Sequence, residues 1–173
     1  MGRPSRGGLI CCTTLELLAL GVWVGGLLVL IGSVIPAVFN TFGGQDSGGF
    51  FLTRTFEGYN RFVMGAFAVL LGGTVWRSWT GYPAVMPSRP EVLMLVVMGV
   101  VAGLIIFVLH PQAAALQAQA FAAKDETARK AAFETFFQVH MPLRSLYIVN
   151  LVLGLVLLTL KAKRSVRWED VPV

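Results

Sequence analysis

Charge is scarce in this 173-residue chain: Asp, Glu, Lys and Arg together make up 13% of it, about half of the roughly 25% usual in soluble domains. That shortage excludes a conventional water-facing surface. Catalytic signatures are missing as well. No Ser/His/Asp set, paired carboxylates or His-Glu-x-x-His helix occurs, so hydrolytic chemistry has no evident machinery. The glycines between Thr41 and Gly49 lack the Lys-Ser/Thr of a phosphate loop, and no strand precedes them. Cysteine is limited to Cys11 and Cys12, adjacent and too constrained to bridge each other readily, so no disulfide framework is implied. They read as free thiols near an interface. Palmitoylation of either is an open alternative, whereas the start MGRPSR misses the myristoylation pattern because Arg6 occupies the Ser/Thr position.

What is abundant is apolar. Hydrophobic residues reach 55% and the mean hydropathy is +0.72, which places the chain among integral membrane proteins. The formal charge of +5 does not point to nucleic acid, because the basic residues sit at the ends of apolar runs and not in one patch with interleaved aromatics. They act as topology determinants. A single domain is expected, since the length accommodates about four spans with short connections.

The first span covers about 15–40. Its stretch LLALGVWVGGLLVLIGSVIPAVFN, Leu17 to Asn40, carries no charge and is long enough at about 1.5 Å per residue to cross a roughly 30 Å hydrocarbon core. Gly21 and Gly25 form a small-xxx-small pair. Glu16 is expected at headgroup level, favoured by the helix dipole, and Pro36 is expected to kink or end the helix. Thr41 to Gly49 reads as a flexible linker. Residues 50–61 read as an interfacial approach with Arg54, Glu57 and Arg61 on one side and Phe51, Phe56 and Tyr59 among headgroups. The second span covers about 62–79, with Trp76, Trp79 and Tyr82 at an interface and Arg77 snorkelling to lipid. After a proline-rich turn, the third span covers about 92–110. It holds a second small-xxx-small pair, Gly99 and Gly103, and ends at His110-Pro111.

Residues 112–143 are Ala-rich with opposite charges at i, i+4, which predicts a helix or helical hairpin outside the hydrocarbon. Phe121, Phe133, Phe136 and Phe137 are available to pack it down. Pro142 then marks a break or kink before a fourth span at about 143–160. The side bearing both termini collects eight Lys and Arg against six on the other, which favours cytoplasmic termini. A basic leader with Arg3 and Arg6 and a tail with Lys161, Lys163, Arg164 and Arg167 reinforce that orientation. The expected location is the inner or plasma membrane of a bacterium.

Ionisable and polar groups within spans are costly and are default functional candidates. His140, Arg144, Tyr147, Asn150 and Gly154 recur at three or four residues and form one stripe, expected to face the bundle. Asn150 reads first as interhelical glue and second as a substrate ligand. His110 and His140 are the only histidines. As imidazoles they are weak candidates for a copper or haem ligand pair, but no Cys-x-x-Cys-His attachment sequence is present, and capped, solvated histidines are the simpler reading.

Several pieces resemble a known family. Gly21 to Phe39 (GVWVGGLLVLIGSVIPAVF), Phe56 to Phe62 (FEGYNRF), Pro111, Phe136 to His140 (FFQVH) and Asn150 to Leu158 (NLVLGLVLL) are similar to the four-span transmembrane protein 205-like proteins. That family is a membrane domain of unknown function distantly like copper resistance D-type proteins. The resemblance implies a four-helix membrane bundle, with Pro36, Tyr59, His140 and Asn150 at its recurring proline and polar positions, and by analogy it touches on metal handling. The expectation is an all-α polytopic membrane protein without catalytic activity or cofactor, a subunit or scaffold in a larger membrane complex whose partners are lipid and other membrane subunits. The alternative is a transporter or binder of a metal ion or small solute, and a weaker one is a haem-binding electron-transfer subunit.

Overall fold

A computed structural model describes residues 5–42, 45–80 and 85–167. Arg3 and Tyr82 lie outside the described residues. The described chain is all-α: α1 (Arg6–Val29), a π-helical turn (Leu30–Val34), α2 (Ile35–Phe42), α3 (Gln45–Trp79), α4 (Arg89–Leu104), a second π-helical turn (Ile105–Leu109), α5 (His110–Ala122) and α6 (Glu126–Arg167). These make four apolar rods long enough to cross a bilayer: Gly7–Phe42, Ser47–Trp79, Arg89–Ala122 and Glu126–Arg164. Successive rods run in opposite directions, forming a four-helix transmembrane bundle.

The rods exceed the expected spans because three predicted stops do not stop them. Pro36 and Pro111 lack the amide proton that a helix interior needs, and their rings crowd the carbonyl four residues back. Both sites solve this in the same way. The residue just before each proline donates to a carbonyl five residues earlier, Ile35 to Leu30 and His110 to Ile105, and this closes a widened turn that carries the helix past the proline. His110-Pro111 therefore does not end the third rod, whose helix continues through α5. Pro142 likewise lies inside an unbroken α6. The expected linker at 41–49 and interfacial approach at 50–61 are corrected too: α2 continues through Phe42 and α3 begins at Gln45.

At about 1.5 Å per residue, rods of 33 to 39 residues reach roughly 50 Å or more, well beyond the roughly 30 Å hydrocarbon core. On the third and fourth rods the extra length includes the polar end of the hairpin that joins them. There α5 packs on α6, Asp125 Oδ2 accepts from the Ala128 amide at 2.9 Å, and Lys124, Asp125, Glu126, Lys130 and Glu134 are exposed. Phe121 joins this hairpin to α3 by packing on Phe50 (centroids 4.8 Å apart) and on Phe133 (5.6 Å).

Lipid, not water, explains the outside. Leu93, Val100 and Phe107 recur every seven residues and are each more than 60% exposed, a stripe that would be costly in water and is at home among acyl chains. Because lipid is as apolar as leucine, the helices are held by close packing and internal polar contacts rather than by hydrophobic burial.

Side chains in the interior sort into strata, with one or more from each span. At the end where α1 begins lie Glu16, Arg77, Glu91 and Lys161. Next come Leu20, Leu70, Met98 and Leu157, all fully buried. Beyond them lie Trp23, Asn60, Ile105, Tyr147 and Asn150. Glycines let the backbones approach: a Cβ at Gly154 would sit 2.7 Å from Val24 Cγ2, one at Gly26 2.9 Å from Tyr59 Cε2 and one at Gly99 2.5 Å from Phe67 Cε2. Gly21, by contrast, faces open space. Gly154→Ala is expected to lower unfolding stability by about 1–3 kcal/mol through overpacking, while Gly21→Ala leaves it unchanged or slightly raised; equilibrium unfolding in detergent or bicelles checks both.

Candidate functional site

The first stratum is a buried ionic network drawn from all four spans. Glu16 on α1, Arg77 on α3, Glu91 on α4 and Lys161 on α6 are each 5% exposed or less. Lys161 Nζ lies 2.8 Å from Glu16 Oε2 and 2.6 Å from Glu91 Oε1. Arg77 Nη2 donates to Glu91 Oε1 at 2.5 Å and stands 3.1 Å from Glu16 Oε1, close in charge but without an aligned hydrogen bond. Arg164 Nη1 closes the set on Glu91 Oε2 at 3.1 Å and also donates to the Met86 carbonyl. Arg164 is the member nearest the exterior, its side chain one-fifth exposed.

Among the described residues three cations face two carboxylates, a formal charge of plus one. Each buried ion would cost several kcal/mol alone, and only mutual pairing with good geometry offsets this. Backbone shape makes the pairing possible. A Cβ at Gly73 would collide with Glu16 Oε1, so glycine there makes room for the carboxylate against α3.

These placements correct two expectations. Glu16 does not rest among headgroups and Arg77 does not snorkel outward; both turn inward because each finds an opposite charge there. Glu91 has no counterpart among the sequence expectations, and Lys161 enters them only as one of the basic residues that set orientation. The signal was nevertheless present: four apolar runs each carry an ionisable residue at the end that, in an alternating bundle, falls on the same side.

The polar stratum is smaller. Tyr59 donates to the Trp23 carbonyl at 2.7 Å, and Tyr147 donates to Asn60 Oδ1 at 3.0 Å. Asn60 Nδ2 and Asn150 Oδ1 are buried with no hydrogen-bond partner among the described residues. An internal cavity beside them gives the centre of a water molecule about 10 Å³ to occupy.

The predicted stripe on α6 is divided by this arrangement. Tyr147 and Asn150 are buried and face the cavity, His140 is half-buried against the Phe136 ring (centroids 5.0 Å apart), and Arg144 is exposed. Arg144 therefore faces outward and not into the bundle. At 3.6 residues per turn, Arg144 lies roughly 90° around the helix from the middle of the buried line of Leu143, Tyr147 and Asn150, and Leu143 takes the buried position. Neither His110 nor His140 borders the cavity, and among the described residues no three of His, Cys, Asp and Glu are grouped to hold a metal ion. The second small-xxx-small pair is divided as well, with Gly99 filled by Phe67 and Gly103 open. Cys11 and Cys12 border a shallow groove of about 320 Å³ between α1 and α3, with Gly72, Gly73 and Trp76.

Residues 18–122 match a domain of unknown function, DUF4149. The chain belongs to this family. The matched DUF4149 stretch includes Asn60, Arg77 and Glu91 and stops short of Glu16, Asn150 and Lys161. No curated protein and no solved structure matches the chain.

Removing one partner of a buried ionic network strands the others. Glu91→Gln, which weakens contacts to Arg77, Lys161 and Arg164 together, is expected to cost about 3–5 kcal/mol. Glu57→Gln, at an exposed carboxylate paired with Arg54 and Arg61, should change little. Unfolding of the two variants side by side measures the contrast.

Proposed function

We propose that this protein is a non-catalytic integral membrane subunit or scaffold, an accessory component in the assembly of a larger membrane complex. The observation that carries the reading is the outward glycine face of the first span. Among the described residues no atom lies within 4 Å of where a Cβ on Gly21 or Gly25 would stand, so neither glycine serves a close contact there. Small residues spaced by four on a lipid-facing helix let a second helix approach closely. On α3, Gly58, Gly65 and Gly72, each seven residues apart, also face open space, giving a second such line. The charged groups of the ionic network, in contrast, are turned inward and paired with one another, as befits a bundle that holds its own shape while offering its surface to others.

In this reading the protein resides in the inner or plasma membrane of a bacterium with both termini cytoplasmic. The basic residues at the ends of the first and fourth spans, Arg6, Lys161, Lys163 and Arg164, favour that orientation. A closer kinship with the transmembrane protein 205-like proteins, and through them with copper resistance D-type proteins, rests on the sequence resemblance. The alternative of a metal or solute transporter has less support: the cavity bordered by Tyr147 and Asn150 admits a single water and is closed toward the ionic network by Leu20, Leu70, Met98 and Leu157. A haem-binding role for His110 and His140 has still less, because neither ring faces that cavity.

The test is native mass spectrometry of the protein released in mild detergent from its own membranes at its natural level. Stoichiometric different subunits are expected, and Gly21→Leu/Gly25→Leu should lose them while keeping the stability of the parent chain. A bare monomer, or an assembly indifferent to that double substitution, would contradict the proposal.

A further inference from the structure

The polar stratum has a donor and an acceptor that do not meet. Asn60 is 5% exposed and Asn150 2%. Their free atoms, Nδ2 on α3 and Oδ1 on α6, have no partner among the described residues, and both residues border the same small cavity. A buried amide group left unsatisfied in an apolar interior costs free energy comparable to a lost hydrogen bond, and in a bilayer no bulk solvent can relieve it. Two such groups, on helices that lie across the bundle from one another and border one space, can be satisfied together by a single bridging molecule.

We propose that this cavity is a binding site for one water molecule, which accepts from Asn60 Nδ2, donates to Asn150 Oδ1 and thereby joins α3 to α6 at the centre of the bundle. Size selects the ligand. About 10 Å³ for the centre of a water molecule is near the minimum that holds one water and too little for two. Chemistry selects it as well. A metal or alkali cation needs a shell of oxygen acceptors, and the Asn60 amide presents a donor to the same space. A purely apolar guest would leave both amides unsatisfied. Tyr59 and Tyr147 also border the cavity, and the hydroxyl of each has already committed its proton, to the Trp23 carbonyl and to Asn60 Oδ1. Either is available to accept the second proton of the water, giving the three bonds typical of a buried water. The resulting chain, Tyr147 to Asn60 to water to Asn150, is one polar thread through an otherwise apolar layer.

A structure of the unaltered full-length chain at a resolution that shows ordered water tests the site directly. One peak within hydrogen-bond distance of both Asn60 and Asn150 is expected. Direct pairing of the two amides, no peak, or a peak surrounded by oxygen ligands in cation geometry would each overturn the proposal. Infrared difference spectra give a second reading in the membrane. A sharp O–H band of an isolated water should shift in H2-18O and be lost in Asn150→Leu, while Ser145→Ala, at an exposed position on the same helix, retains it. Absence of such a band in the unaltered protein, or its persistence in a folded Asn150→Leu variant, would count against the site.

Discussion

The structure depends on one constraint: charge placed inside an apolar bundle must be neutralised by charge from another helix. Glu16 and Lys161 are 145 residues apart in sequence and 2.8 Å apart in space. Glu91 receives three cations from two other spans. Because each span contributes a member, no helix can turn about its axis or slide along it without leaving an ion unpaired in a medium that cannot solvate it. The network therefore fixes register and rotation in a way that leucine packing against leucine-like lipid does not.

The layers above follow from that register. Once Glu16 and Arg77 are paired, Leu20 and Leu70 fall one step further along, and Trp23 and Asn60 beyond them. Glycines at 73, 154 and 26 bring the backbones close where these layers need it. The two π-helical turns, ending just before Pro36 and Pro111, let the first and third spans continue past residues that would otherwise stop them. Length, register and interior are thus consequences of a few residues whose chemistry is incompatible with lipid.

Much of the architecture was legible in the sequence. Long apolar runs with few charges permit only membrane-spanning helices, and the all-α four-span class followed. Span ends were less legible. Proline reads as a stop when its missing amide is considered alone, and nothing local to His110-Pro111 or Ile35-Pro36 announces the widened turn that accommodates it. The ionic network was hidden for a different reason. Glu16, Arg77 and Lys161 each sit near the end of an apolar run, where an interfacial role explains each of them singly. Their significance is collective and emerges only when the alternating direction of the spans brings them to one end. The α6 stripe was half legible: periodicity found Tyr147 and Asn150, but placing Arg144 with them required knowing which neighbour α6 faces at each turn.

The central claim is that pairing between spans, rather than each charge alone, sets the bundle. A double-mutant cycle joining Glu16→Gln and Lys161→Met, read by equilibrium unfolding in a lipid environment, tests it most directly. The account predicts that each single substitution is strongly destabilising and that the double variant recovers a large part of the loss, because removing both partners leaves fewer stranded ions than removing one. Strictly additive losses would contradict it, since Glu16 and Lys161 would then act independently and the network would not be what holds the four spans in register.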